Sequence, residues 1–194
     1  HPDRSKLVTC HNFYPQQYSG LSLEHFNKCN EKMKSMYLPV AAFISSNNEG
    51  TYGPWPVNEG LCTLEMHRGL PIGFQARHLF ATGMVDDVLI ANAYASAEEL
   101  EACAAVNPSI LTFGLVLEKE LTRTEQKILD YEPKHVVRGD MSEYMIRSTW
   151  PRVTFADESI PAANTRDLKR GDVVILNDGY LKYKGELHIV LKDM

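Results

Sequence analysis

The sequence predicts an α/β protein whose first half is a parallel sheet covered by helices and whose second half is a small β-rich domain. Three observations carry this. The first 108 residues alternate short apolar runs with amphipathic stretches in the order β-α-β-α-β-α. The runs are too apolar for a strand with one wet face, the pattern of a parallel sheet between helices. Beyond Asn107-Pro108-Ser109 the alternation stops, and short strands separated by turn dipeptides indicate a small β-barrel or sandwich. The expected domains are therefore 1–108 and 109–194.

Each element has a local reason. Leu7–Tyr14 is β-rich and is stopped by Pro15. Ser22 caps a helix from Leu23 to about Met36, with Leu23, Phe26, Cys29, Met33 and Met36 at helical spacing. Pro39–Ile44 is the second strand, and a long loop with Gly50, Gly53, Pro54, Trp55 and Pro56 leaves its end. In Gly60–Arg68, Thr63 suits a helix cap and Glu65 falls in the first turn, where the helix dipole favours a negative charge. Pro71 opens a helix that runs to about Thr82 and stops at Gly83. Val85–Ala91 is the third strand, and Ser96-Ala97-Glu98-Glu99 is a capping box opening a helix to about Val106.

In the second half, strands are expected at Ile110–Leu117, His135–Arg138, Glu143–Ser148, Val173–Asn177 and Leu187–Leu191, with a short helix over Thr122–Leu129. Gly139-Asp140, Asp178-Gly179 and Lys184-Gly185 supply turns.

Composition excludes several functions. A net charge of −5 with no basic cluster argues against a nucleic-acid partner. No apolar run reaches the roughly 20 residues of a membrane span. Cys10, Cys29, Cys62 and Cys103 form no CxxC pair, and the histidines are scattered, so no metal or cofactor is expected. Reduced thiols suit a cytoplasmic setting. The chain opens on His1-Pro2-Asp3-Arg4 without an initiator Met, which suggests a piece of something longer.

Right-handed crossovers make the three strands parallel neighbours, and chemistry in such sheets gathers at their carboxyl ends. That edge collects Asn12, Tyr14, Glu65, His67, Arg68 and Asn92, and leaves Asp86 and Asp87 at the opposite end. A carboxylate with amides, a phenol and a cation suits a sugar, with Tyr52 or Trp55 to stack on a ring face. The alternative is an ordinary capped turn with solvated charges. In the second half Arg138, Arg147, Arg152 and Arg166, with Asn164 and Asn177 near in sequence, could hold phosphate or carboxylate groups. Surface ion pairs with Glu143, Asp157 and Asp167 are the competing explanation.

Several ordered strings also match a family. They are His11-Asn12-Phe13-Tyr14-Pro15 with Gly20-Leu21-Ser22, Ala42-Phe43-Ile44, and Gly60-Leu61-x-Thr63-Leu64-Glu65-x-His67-Arg68. Next come Ile90-x-x-x-Tyr94-Ala95-Ser96-x-Glu98-Glu99-Leu100 and Met145-Ile146-Arg147-Ser148. Arg170-Gly171-Asp172-Val173 and Tyr180-x-x-Tyr183-x-Gly185-Glu186-Leu187 complete the set. With these the chain resembles the bacterial 6-phospho-N-acetylmuramidase family over nearly its whole length.

The resemblance implies the last three βα units of a TIM-type barrel followed by a cyclophilin-like β-barrel domain. It also implies a cytoplasmic glycosidase of peptidoglycan recycling that cleaves 6-phospho-N-acetylmuramyl glycosides. Glu65 would be the catalytic carboxylate. Asn12, Tyr14, His67, Arg68, Asn92, Arg147, Asn164, Arg166 and Asn177 would bind a phosphorylated amino-sugar disaccharide. The family's more usual Gly-Asp pair is Ala91-Asn92 here, which leaves Asn92 a binding role. A non-catalytic phosphosugar-binding module on the same frame is the alternative, and a homo-oligomer built through the β domain is a further expectation.

Overall fold

Three parallel strands need long crossovers, and the first half supplies them as helices with strong local signals. The structure, a computed structural model, describes residues 3–140 and 142–194; His1 and Pro2 of the polar opening lie outside the described residues. The chain folds as two compact units, His1–Gly114 and Leu115–Met194.

In the first unit β1 (Thr9–Cys10), β2 (Val40–Ile44) and β3 (Asp87–Ile90) form a parallel sheet in that order. Thr9 lies opposite Val40, and Ala41 opposite Asp87. The crossovers are α1 (Leu23–Ser35) and α2 (Ile72–Ala81), with α3 (Ala97–Ala104) after β3. The Ser22 hydroxyl caps α1 by accepting from His25 N, and Ser96 with Glu99 forms the complete capping box of α3. Gly83 ends α2 at φ +69, a conformation that suits glycine.

Phe26 of α1, Ile72, Ala76 and Leu79 of α2, and Ala42 and Ile44 of β2 form one core with Leu64 and Val85. Each large side chain fully buried here contributes about 1.5–3 kcal/mol. Val88, Ile90, Cys103 and Val106 pack on the same core. The opposite face carries Phe43, met edge-on by Phe13, and the exposed Leu89. Only β2 is therefore buried nearly throughout; β3 alternates, against the expectation of uniformly covered strands.

The second unit contains α4 (Arg123–Leu129), β4 (Met145–Ser148), α5 (Trp150–Thr154), β5 (Val173–Ile175) and β6 (Leu187–Val190). Its sheet is antiparallel in the order β4-β6-β5, with Arg147 opposite His188 and Val174 also opposite His188. Ile128 of α4, Ile160, Leu187, Val173, Ile175 and Ile189 make its core on one face. Thr122 and Glu125 form a second capping box at α4.

The barrel expectations do not hold. A barrel needs its last strand paired with its first. Neither three-stranded sheet closes, so this is an α/β fold with two open sheets and shows neither a TIM-type barrel nor a cyclophilin-like one. Ile110–Leu117 is not a strand; it is apolar but unpaired, and Leu111, Phe113, Val116 and Leu117 are exposed. The strand expected over His135–Arg138 shrinks to one bridge between Val137 and Ser148, while α5, with Pro151 in its first turn, was not foreseen.

Candidate functional site

Where β2 ends at Ile44, the next two peptide groups lose their strand partners, and buried amides must be paired by something else. Two side-chain amides do this. Gln75 of α2 accepts from Ser45 N and donates to Ser45 O, both at 2.9 Å. Asn92, just past β3, accepts from Ser46 N at 2.8 Å and donates to Ser46 O at 2.9 Å. Glu99 continues the series by accepting from Asn47 N at 2.8 Å and from the Ser46 hydroxyl. Burial pulls the Glu99 carboxyl up, but Ser46 and the amides of Asn47 and Ser96 outweigh it and leave it below its ordinary value.

The far end of the loop is held by Arg68. Its Nη1 donates to the carbonyls of Tyr14 (3.1 Å), Glu59 (2.9 Å) and Gly60 (2.9 Å), and Nη2 also reaches Tyr14 O. Nε and Nη2 grip Glu65 as a two-pronged fork, each at 2.7 Å. Glu65 accepts two further bonds, from Tyr18 N at 2.8 Å and Gly20 N at 2.7 Å. Both carboxylate oxygens are thus doubly engaged, and a guanidinium's five donors are all used.

The Arg68 fork, opposed by burial and helped by the Tyr18 and Gly20 amides, lowers Glu65 to about 2. Gly20 lies so close that an added Cβ would stand 2.7 Å from both Glu65 N and Oε2. Thr63 does not cap the turn as expected. Its hydroxyl accepts from Phe43 N and donates to Asn12 O, stitching the segment to β2 and to the end of β1, while Leu64 precedes the short 3-10 turn Glu65–His67.

Between these fixed ends, at the carboxyl ends of β2 and β3, opens a cleft of about 410 Å³ lined chiefly by Gln17, Asn47, Asn48, Asn58, Glu59 and Asn92. Of the residues expected at the site, Asn92 and Arg68 line it, Asn92 bonded to the Ser46 backbone and Arg68 to three backbone carbonyls and the Glu65 carboxylate. Glu65 lies behind Arg68, outside the lining.

Asn12 is exposed and Tyr14 half-buried at the end of β1, neither in the lining. His67 is fully buried, its Nε2 2.7 Å from His78 Nδ1. Burial, then the neighbouring His78, lowers His67 to about 4, so it is neutral at pH 7. Its Nδ1 meets no partner among the described residues. An orphaned acceptor costs less than an orphaned donor, so the proton is assigned to Nε2, donating to His78.

Arg147, Asn164, Arg166 and Asn177 belong to the second unit. Asn177 accepts from Gly179 N and caps the turn at Asp178, and Arg166 is closed between Glu118 and Asp172. Arg147 reaches Asp140 at 2.9 Å. Asn164 is exposed at φ +50.

The sequence reading missed Glu59. One of its oxygens accepts from Gln17 N at 2.8 Å, and the carboxylate otherwise faces solvent at the cleft. The only local signal was its place at the end of a Gly/Pro/Trp loop. Tyr52 and Trp55 of that loop are exposed, and Tyr52 exchanges both backbone hydrogen bonds with Ala93. Among the described residues no three His, Cys, Asp or Glu side chains gather as a metal site, and no helix is long and apolar enough to cross a membrane.

The carboxyl ends of parallel strands, where this polar cleft opens, are the edge at which α/β proteins commonly hold small ligands. The chain belongs to the 6-phospho-N-acetylmuramidase family: residues 1–105 match its N-terminal domain and residues 111–194 its C-terminal domain.

Two solved structures are similar. An uncharacterized B. cereus protein is 46% identical at a TM-score of 0.87, over 99% of this chain and 55% of that one. A conserved Enterococcus faecalis protein of unknown function is 28% identical at a TM-score of 0.65, over 99% of this chain and 50% of that one. The chain thus spans about half the length of the structures it matches. No curated protein matches it.

Proposed function

We propose that this chain forms part of a glycosidase that cleaves 6-phospho-N-acetylmuramyl glycosides in cytoplasmic peptidoglycan recycling. The observation that carries the reading is the amide-rich cleft in a chain of this family. Asn47, Asn48 and Asn58 offer acceptors and donors suited to sugar hydroxyls, and the exposed rings of Tyr52 and Trp55 suit a pyranose face. Glu59 is the carboxylate best placed for proton transfer. Glu65 has no free lone pair and is ionised far below neutral pH, so it acts through Arg68 as a positioning residue.

Sugar release from the phosphorylated disaccharide, measured with the full-length protein, tests this. Glu59→Gln should abolish turnover at unchanged thermal stability, and Glu65→Gln should lower stability and raise KM more than it lowers kcat. Full turnover in Glu59→Gln would refute the role of Glu59.

One observation favours a second reading, binding without cleavage. Glycoside hydrolysis ordinarily uses two carboxylates, and Glu59 is the one acidic side chain in the described lining. Saturable binding of the disaccharide without release would select that reading.

A further inference from the structure

The cleft of the first unit has two charged side chains in its lining, Glu59 and Arg68, and only Glu59 is free to act on a ligand. Arg68 is closed. Its guanidinium lies 2.7 Å from the Glu65 carboxylate. Its N–H groups are spent on Glu65 and on the carbonyls of Tyr14, Glu59 and Gly60. Glu59 is open. Its Oε2 accepts from Gln17 N at 2.8 Å, while its Oε1 accepts nothing and the carboxylate meets no cation among the described residues. Glu99 supports Ser46 and Asn47 of the lining and likewise has no cation partner among the described residues. Despite burial, Ser46 and the amides of Asn47 and Ser96 keep it ionised.

Two amides of the lining are oriented by backbone carbonyls. Asn47 Nδ2 donates to Leu70 O at 2.8 Å and Asn48 Nδ2 to Tyr94 O at 2.9 Å. A carbonyl partner demands the NH₂ end of each amide, which leaves each Oδ1 without a donor among the described residues. With Glu59 Oε1 they are unspent acceptors in one cleft. The side chains of Gln17, Thr51 and Asn58 make no hydrogen bond among the described residues, so each can give or take one. An anion entering this cleft finds no free cation and faces Glu59, with Glu99 behind the lining.

We infer that this cleft binds the free ammonium group of a hydroxylated amine, such as an unacylated amino sugar, and turns anionic groups away. An ammonium brings three N–H donors and no acceptor, which matches Glu59 Oε1 with the Oδ1 atoms of Asn47 and Asn48. A guanidinium fits less well, because its planar fork wants both oxygens of a carboxylate and Glu59 has one to give. A single lining carboxylate is also too few for a divalent-cation cage. The volume of about 410 Å³ accommodates a sugar ring, whose hydroxyls Gln17, Thr51 and Asn58 can meet. Acylating the amine removes its charge and two of its N–H donors, so an acetamido group is not this ligand. A phosphate on the same ligand lies outside the lining.

The inference rests on the cleft of the glycosidase reading, though not on cleavage. Chemical-shift titration of the 194-residue chain, followed at the side-chain amides of Asn47, Asn48 and Asn58, tests it at pH ~7, where such an amine is mostly protonated. Glucosamine should bind about tenfold tighter than glucose, and glucose 6-phosphate should bind more weakly than glucose. A preference for glucosamine without sugar release from the phosphorylated disaccharide would count against the glycosidase reading alone. Release together with equal binding of glucosamine and glucose would overturn this inference alone.

Glu59→Gln keeps an acceptor for Gln17 N and should erase the preference for glucosamine. Glu101→Gln removes an exposed carboxylate of α3 and should leave the preference intact. Asn58→Asp adds a carboxylate to the lining where no hydrogen bond is lost, and should tighten glucosamine about threefold or more. It carries the test if Glu59→Gln fails to fold. Equal affinity for glucosamine and glucose, tighter binding of glucose 6-phosphate than of glucose at these amides, or equal loss in Glu101→Gln would each overturn the inference.

Discussion

Replacing Glu65 with Gln tests whether this carboxylate is a clamp. Gln keeps the shape of the side chain but loses the charge that holds Arg68 and the Tyr18 and Gly20 amides. Lowering the carboxyl from 4.5 to about 2 corresponds to about 3 kcal/mol at ~1.36 kcal/mol per pH unit. With 26% of the Glu65 side chain exposed, solvent screening brings the expected loss at pH 7 to about 2 kcal/mol. The folded value is depressed, so the contribution is complete above pH 4.5 and is lost as pH falls through about 2. Less than half of it should remain near pH ~3.

Hydrogen exchange of the Val40–Ile44 amides reads the stability of the first unit without interference from the second. Glu65→Gln should exchange roughly 30-fold faster at pH 7, the rate equivalent of about 2 kcal/mol, and the gap should narrow in acid. Equal exchange in the two proteins at pH 7, or a gap that stays constant between pH ~7 and ~3, would refute the clamp.

Three further perturbations follow the same logic. Gly20→Ala forces a Cβ to 2.7 Å from Glu65 N and Oε2, and should lower stability by about 1–3 kcal/mol, read as a fall in Tm. Asn92→Ala leaves both Ser46 backbone groups without their partners in a buried position. It should cost about 2–3 kcal/mol by urea denaturation and weaken any ligand of the cleft, as measured by titration. His67 is depressed from 6.5 to about 4, so the stability of its neutral form is complete above pH 6.5 and lost as pH falls through 4. Thermal melts of the parent should drop across that window, and His67→Gln should flatten the drop.

Much of the first unit was legible because its signals are local. Ser22, Ser96 with Glu99, Pro71 and Gly83 act within a few residues of where they stand, and each starts or stops a helix as expected. The order and parallel direction of the strands followed from their apolar runs and from right-handed helical crossovers between them. The second unit was harder to read. Its strands are three or four residues long, and the apolar run Ile110–Leu117 looks like a strand by composition but finds no partner. Pairing is a property of two segments, and a single segment does not announce it.

The candidate site divides the same way. The sequence brought Glu65, His67 and Arg68 to attention because carboxylate, imidazole and guanidinium stand within four residues of one another, and it determined the helix caps, the strand order and the family strings. Only the tertiary structure decided that Arg68 and Glu65 spend their bonds on Tyr14, Tyr18, Gly20, Glu59 and Gly60, and that Asn92 is committed to Ser46. It alone left Glu59 facing the cleft, and it alone showed that neither sheet closes. The reason is physical. A cap or a turn is settled by neighbours along the chain, whereas whether a polar side chain is free depends on which distant backbone groups folding brings to it.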